Sequence, residues 1–438
     1  MLNYRFNEVE MKTRPIAAIL TLLMLLVAGV LFANISSANF FPDPGPDLPR
    51  IYIRSNGSVE PATAPVERAG NIYKLTGNIA MHTIVIQRDN IVLDGSGYLI
   101  EGNKSWMGLA PHFGDAGNNG IILTGRNNIN ITNLNIERFT AGVRISGSSH
   151  INIFGNRFNE ETAVFDTPTG IIIETSSHVL IENNNFTSIR GPAIACNGTN
   201  ITIRGNSLID IMDGIDGSIA LEGSSNVITD NKIETASPSI RLGLADSNTI
   251  ARNHITGGIS LVSSSNNIIF GNNLTGIRIV FGSNNTIFGN YMASNLGRDT
   301  IELDQGAVNN TFYGNTFAAD FKIRFNDAGT TFWDNRTIGN YWGDYNGTDS
   351  NGDGIGDSPY IITGVKWDND VGGDVSFVVG QDNYPLMVPF EVPSAPTPSP
   401  EPQLGSELFL TAVVAAASSV SVVVIGIGLL VYFKKRKQ

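Results

Sequence analysis

The chain has 438 residues, 42% of them apolar, with a formal net charge of −12 and an isoelectric point near 4.9. That length allows a large core, while the acidic balance argues against nucleic acid as a partner, because phosphate binding needs a basic patch. A single cysteine, Cys196, excludes an internal disulfide framework, and its Ala-Ile-Ala-Cys setting reads as a small buried hydrophobe.

Near the N-terminus, Lys12 and Arg14 precede an apolar run from Ile16 to Ala33, followed by Ser36-Ser37-Ala38. This pattern predicts a signal peptide over residues 1–38. A lead-in segment spans 39–70, and the first clear strands are expected at Thr83–Ile86 and Ile91–Asp94. From there to residue 337 a unit of the form apolar-x-x-Asn-x-apolar recurs, as in Ile269-Phe270-Gly271-Asn272-Asn273-Leu274. The marker residues are Asn156, Asn184, Asn206, Asn231, Asn253, Asn272, Asn290 and Asn315, at intervals of 28, 22, 25, 22, 19, 18 and 25.

Periods of this size indicate a solenoid. Each one holds short alternating Ile/Val/Leu runs broken by Ser-Ser-Asn or Gly-Asn turns, with no helical periodicity. A β-helix accommodates uneven intervals because extra residues bulge out at turns. The expected fold class is therefore all-β: a parallel β-helix of about ten coils over residues 71–337, with strands about 4.8 Å apart along the axis. The predicted inward pairs of one sheet are Val143/Ile145, Ile171/Ile173, Ile194/Cys196, Ile219/Leu221, Ile240/Leu242, Ile259/Leu261, Ile277/Ile279 and Ile301/Leu303. The marker asparagines are expected in turns, at left-handed backbone angles.

Residues 338–390 form an acidic, aromatic-containing closing segment, as a solenoid end needs a polar cap. A Pro-rich stalk follows over 391–407. Leu408 to Phe433 then carries no charge for 26 residues, enough for one transmembrane helix. The basic tail 434–438 begins Lys434-Lys435-Arg436-Lys437, so the tail is predicted to be cytoplasmic and everything before Leu408 extracellular.

The lead-in Asn90-Ile91-Val92-Leu93-Asp94-Gly95, the Gly-Asn coils and three tail motifs together resemble the NosD-type β-helix family, including archaeal surface members. The tail motifs are Gly339–Tyr345, Asp353–Tyr360 and Asp382-Asn383-Tyr384-Pro385-Leu386, and the likeness covers roughly residues 70–390. The resemblance implies a right-handed parallel β-helix and an exported location. It also implies a link to copper-site maturation, or to the carbohydrate-binding and sugar-hydrolase β-helices that share the coil motif.

Four constellations bear on chemistry. Copper wants clustered His, Cys or Met. Here only His150 and His178, each six residues before a marker Asn, are placed to stack in one turn column, so copper is not expected. Calcium is suggested by Asp349, Asn351, Asp353, the backbone carbonyl of Ile355, and Asp357, which follow the ligand spacing of a calcium-binding loop; Tyr360 stands where a bidentate Glu is usual. For carbohydrate cleavage the candidate carboxylates are Asp210, Asp213 and Asp216 in one loop, and Glu302 with Asp304. Finally, Arg241, Ser260, Arg278, Glu302 and Lys322 should follow one another on the outer face of the first sheet, with Glu222, Asp304 and Arg324 one step along. That row reads either as a stabilising charge ladder or as a sugar-binding groove.

The expected function is a membrane-anchored extracellular β-helix that binds glycans or cell-envelope material without catalysis. A polysaccharide-active lyase or hydrolase and a copper accessory protein are the alternatives. Glycosylation is also expected, since sequons such as Asn56, Asn103 and Asn197 are abundant.

Overall fold

The computed structural model describes residues 48–102, 118–159, 168–212, 217–235, 238–293, 300–319, 321–368 and 370–391. The predicted leader, the transmembrane segment 408–433, the basic tail and all of the stalk beyond Glu391 lie outside these residues, as do Asp213, Asp216 and the sequon at Asn103. Among the described residues there is no helix long and apolar enough to cross a membrane.

Alternating side chains make each short strand two-faced, and stacking like on like buries one face in a continuous core. The result is an all-β parallel solenoid of about 11 turns. Each turn contributes to three columns of strands. The first column includes Ala141–Ser146, Ile194–Thr199, Ile219–Ser224, Ile240–Gly243, Gly258–Val262, Gly276–Val280 and Ile301–Leu303. The second includes Ser149–Phe154, Thr202–Arg204, Thr249–Ala251, Ile268–Phe270 and Thr286–Phe288. The third is a separate 12-stranded sheet running from Ile79–Ala80 to Tyr341–Trp342. Thr169–Glu182 passes without a break from the first column into the second, joining the two into one sheet.

The inward pairs stack in register as expected: Ile194 on Ile219, Ile219 on Ile240, Ile240 on Ile259, Ile259 on Ile277 and Ile277 on Ile301. All of these side chains are buried. Cys196 lies in the same stack, its thiol pushed up to about 12 by burial first and then by the charge of Glu222, which keeps it unreactive at neutral pH.

The marker asparagines are placed differently from the expectation. They point into the core and are buried, and the left-handed angle belongs to the residue just before each one. Gly155, Asn183, Gly205, Asp230, Arg252, Gly271, Gly289 and Gly314 all have positive φ. This accounts for the repeated Gly-Asn pair: glycine takes the left-handed turn position without a Cβ penalty, and the turn swings the Asn side chain inward.

Once inside, the asparagines bond to one another. Asn231 Nδ2 donates to Asn253 Oδ1 at 3.0 Å, Asn253 Nδ2 to Asn272 Oδ1 at 2.9 Å, and Asn272 Nδ2 to Asn290 Oδ1 at 2.9 Å. The ladder runs from Asn156 to Asn340. A second ladder, Asn226, Asn248, Asn267, Asn285 and Asn310, occupies the turn between the first and second columns.

The C-terminal end is closed by aromatic rings and a hairpin. Phe317 stacks on Trp342 at 4.6 Å, and Trp342 on Tyr360 at 4.6 Å. Tyr360–Asp368 and Gly373–Asp382 pair antiparallel beyond the last coil, where Val365 pairs with Arg324.

Candidate functional site

Outward-facing residues of the first column form a row at strand spacing. Arg241 stands in register with Ser260, Ser260 with Arg278, Arg278 with Glu302, and Glu302 with Arg324. The last step corrects the expected row, which placed Lys322 after Glu302. Ile323 and Phe325 pair with Ile301 and Leu303, so the residue between them, Arg324, takes the outward place beside Glu302. Glu222 lies in register with Asn197, whose Nδ2 donates to it at 3.0 Å.

The charges on this face compensate one another. Arg278 donates to Asp304 Oδ2 from Nε at 3.0 Å and from Nη2 at 2.6 Å, and its Nε lies 3.1 Å from Glu302. Asp304 also accepts from Asn326 at 2.8 Å. Arg324 makes a two-pronged bond to Asp374 at 2.9 and 3.0 Å. That geometry holds the Asp374 carboxyl below the usual range, first through the hydrogen bonds and then through the charges of Arg324 and Lys322. Asp374 itself comes from the closing hairpin, fifty residues beyond Arg324, and no sequence periodicity marks it. Directly opposite Asp374 in the hairpin is Trp367, 59% exposed. Directly paired residues of an antiparallel hairpin point to the same face, so the indole stands beside the charged row. Arg278 keeps half of its side-chain surface in solvent.

The calcium-like loop is tied up locally. Asp349 accepts from the backbone N–H groups of Gly352, Asp353 and Gly354. Asp353 accepts from the Ile355 N–H and from Asn351 Nδ2. Asp357 accepts from the hydroxyl and N–H of Ser350 and from Thr348, and these bonds lower its pKa. Each carboxylate thus has its own donors, and among the described residues no three His, Cys, Asp or Glu side chains converge as metal ligands. Asp210 lies in the turn after Ser207–Ile209 and accepts from Ser188 at 3.1 Å.

His150 and His178 lie side by side on adjacent coils, ring centroids 5.0 Å apart and planes within 6° of parallel. His150 Nδ1 is 3.1 Å from Asn127 Oδ1. The nitrogen lone pairs lie in the ring planes, so two parallel stacked rings cannot both aim at one ion about 2 Å from each nitrogen.

The family described as "Periplasmic copper-binding protein (NosD)" matches residues 99–274 and 256–347. No curated protein matches the chain. Among solved structures, a double mutant of the periplasmic alginate epimerase is 15% identical, covering 63% of this chain and 72% of that one, with a TM-score of 0.37. The A-module of a mannuronan C-5 epimerase from Azotobacter vinelandii is 12% identical over 57% of this chain and 86% of that one, with a TM-score of 0.38. The tailspike of E. coli bacteriophage HK620 in complex with a pentasaccharide is 13% identical over 58% of this chain and 47% of that one, with a TM-score of 0.31. The chain thus spans about half the length of the tailspike. Among the described residues, the stacked His pair is parallel and Cys196 is buried in the core. The fold, the coil motif and a match running from residue 99 to residue 347, more than half of the chain, place this protein in the NosD family.

Proposed function

We propose that the protein is a non-catalytic, membrane-anchored β-helix that binds hydroxyl-rich, uncharged glycans outside the cell along the outer face of its first sheet. The observation that carries this reading is the compensated row Arg278, Glu302, Asp304, Arg324 and Asp374 beside the exposed Trp367. Charges already paired within the protein attract no net counter-charge. Their remaining lone pairs and N–H groups, held rigid on adjacent coils, suit sugar hydroxyls, and an indole supplies an apolar face for a pyranose ring. Glu302 and Asp304 are both tied to Arg278, which favours binding over cleavage, since an acid–base pair needs carboxyls left free to exchange protons. A neutral-glycan array probed with the full chain should give signals that drop about tenfold in Trp367→Ala. No signal from the parent, or equal signals from both proteins, would refute the assignment.

The leader 1–38 and the apolar segment 408–433 support export and a single C-terminal anchor. Protease added to intact cells should then remove the β-helix and leave a short membrane-embedded stub. Digestion occurring only after lysis would contradict that topology.

We also propose that Asp349, Asn351, Asp353, Ile355 and Asp357 take up calcium, with the loop rearranging to turn its carboxylates toward the ion. Three carboxylates within nine residues of a Gly-rich loop are the support. Millimolar calcium should raise the unfolding midpoint of the parent and leave an Asp353→Ala/Asp357→Ala variant unmoved. An unchanged parent midpoint, with no heat on calorimetric titration, would reduce the loop to a solvated turn.

A further inference from the structure

At the N-terminal end of the solenoid, four segments distant in sequence converge around a polar cleft of about 490 Å³, whose walls include Arg68, Arg88, Arg126, Asn56, Asn71 and Asn90. The cleft lies where the chain crosses from the first column to the second on the earliest coils. The Gly57 turn packs against two of its wall residues, Arg68 and Arg88. Gly57 has a positive φ of 89°, and its carbonyl accepts from the buried Tyr73 hydroxyl and from Arg68 Nη1, both at 3.0 Å. Arg88 donates to the Tyr73 hydroxyl at 3.4 Å and to Asn71 Oδ1 at 2.9 Å. A Cβ built on Gly57 would collide with the guanidinium nitrogens of both Arg68 and Arg88, so the two cations are aimed at one point.

The charge balance here is the reverse of that on the C-terminal face. Asp89 is the one carboxylate in the lining. It sits 3.5 Å from Arg126 and also accepts the Asn127 N–H. Among the described residues, the acceptors that hold Arg68 and Arg88 are all neutral: the carbonyls of Gly70 and Gly57, the Tyr73 hydroxyl and the Asn71 amide. Two like charges held together by neutral acceptors repel, and an anion between them removes that cost. In a chain of net charge −12, an uncompensated arginine pair cannot be ascribed to general basicity. The planar guanidinium fork matches carboxylate and sulfate oxygens, and the surrounding amides of Asn56, Asn71 and Asn90 offer donors and acceptors to hydroxyls.

We propose that this cleft is a binding site for an acidic saccharide, with Arg68 and Arg88 gripping its carboxylate or sulfate group and the amides holding neighbouring hydroxyls. The site is independent of the neutral-glycan face, which lies at the other end of the solenoid. The test titrates the full chain, produced without N-glycosylation so that Asn56 is bare, with three probes: a galacturonate hexamer, its methyl ester and inorganic sulfate. The acidic hexamer should bind about tenfold more tightly than its ester and weaken as salt rises. Arg88→Gln should lose about tenfold in affinity, and Arg68→Lys, which keeps the charge but not the fork, should also weaken binding; both should retain the parent unfolding midpoint. Arg278→Gln, on the other face, should bind the acidic hexamer as the parent does. Equal affinity for acid and ester, or unchanged affinity in both arginine variants, would overturn the proposal. Sulfate bound as tightly as the hexamer would overturn the saccharide assignment, and no binding of either anion would overturn the site itself.

Discussion

Replacing Asn272 by alanine should destabilise the solenoid by about 3–5 kcal/mol, among the largest effects available to a single polar residue in this chain. Its side-chain oxygen accepts from both the backbone N–H and the amide of Asn253, each at 2.9 Å. Its amide donates to the Ile250 carbonyl, the Phe270 carbonyl and Asn290 Oδ1. Alanine leaves the buried Asn253 N–H without a partner, removes donors from two buried acceptors, and opens a small void. Asn272→Asp should be as damaging or worse, because an ionised carboxylate has no proton for Ile250 or Asn290 and would face the Asn290 oxygen directly. The adjacent Asn273, exposed on the third column, is the control, and Asn273→Ala should change stability by less than about 0.5 kcal/mol. Denaturant unfolding of the three variants against the parent decides the matter. An Asn272→Ala midpoint equal to that of Asn273→Ala would show that the ladder carries no stability.

The repeat was readable because strand chemistry has a period of two and register is enforced by burial. Once Ile259 and Leu261 are taken as inward, their partners on the next coil, Ile277 and Ile279, follow from the same alternation. The marker asparagines were visible for the same reason, but their burial was not. Asparagine in a Gly-Asn pair reads as a turn residue by propensity, and only the ladder, in which each side chain satisfies its neighbour's backbone, makes the core an acceptable place for it. The second ladder had a comparable signal in Ser225-Asn226, Ser247-Asn248, Asn266-Asn267, Asn284-Asn285 and Asn309-Asn310. Those pairs look like ordinary loop composition until a left-handed residue before each Asn shows the same inward swing.

The functional surfaces were less legible. Arg241, Arg278 and Glu302 follow from strand register, so a row of charge could be anticipated. Arg324 took the place expected for Lys322 because the coil from Thr300 to Phe325 pairs through Ile323 and Phe325. Asp374 and Trp367 enter from a hairpin with no repeat, and their place beside Arg324 is a tertiary fact. The arginine cleft was invisible for a stronger reason. Gly57, Arg68, Arg88 and Arg126 share no motif and meet only when the first coils close.

The second large effect concerns the end of the ladder and the pH. Asn340, the last rung, hands its backbone N–H to Asp382 Oδ2 at 2.6 Å, and the same oxygen accepts from Trp342 Nε1 at 2.8 Å. The other oxygen accepts from the Tyr384 N–H at 3.0 Å. A carboxylate suits this place because the backbone N–H groups of Asn340 and Tyr384 and the Trp342 indole N–H all donate to it. The Asp382-Asn383-Tyr384-Pro385 motif thereby acquires a structural role, which is to terminate the ladder. Asp382 is fully buried, and burial pushes its carboxyl up to about 6 from 3.8, against the lowering effect of its three donors. A carboxyl raised in the folded state stays protonated there between about pH 4 and pH 6 while the unfolded chain has already lost its proton. The folded state therefore binds more protons in that window, and stability from this group falls as pH rises through it, then levels off above pH 6. The size is about 3 kcal/mol, at 1.36 kcal/mol per unit of pKa difference. Asp382→Asn removes the titration and turns an amide N–H₂ toward the Tyr384 N–H, so it forfeits one hydrogen bond at every pH. The parent should consequently exceed Asp382→Asn in stability by about 2 kcal/mol more at pH 4 than at pH 7, the full difference of about 3 kcal/mol being reached only below the unfolded pKa. Urea unfolding of both proteins at pH 4, 5, 6 and 7 measures that difference, and parallel stability curves across the window would show that the buried carboxyl does not titrate there.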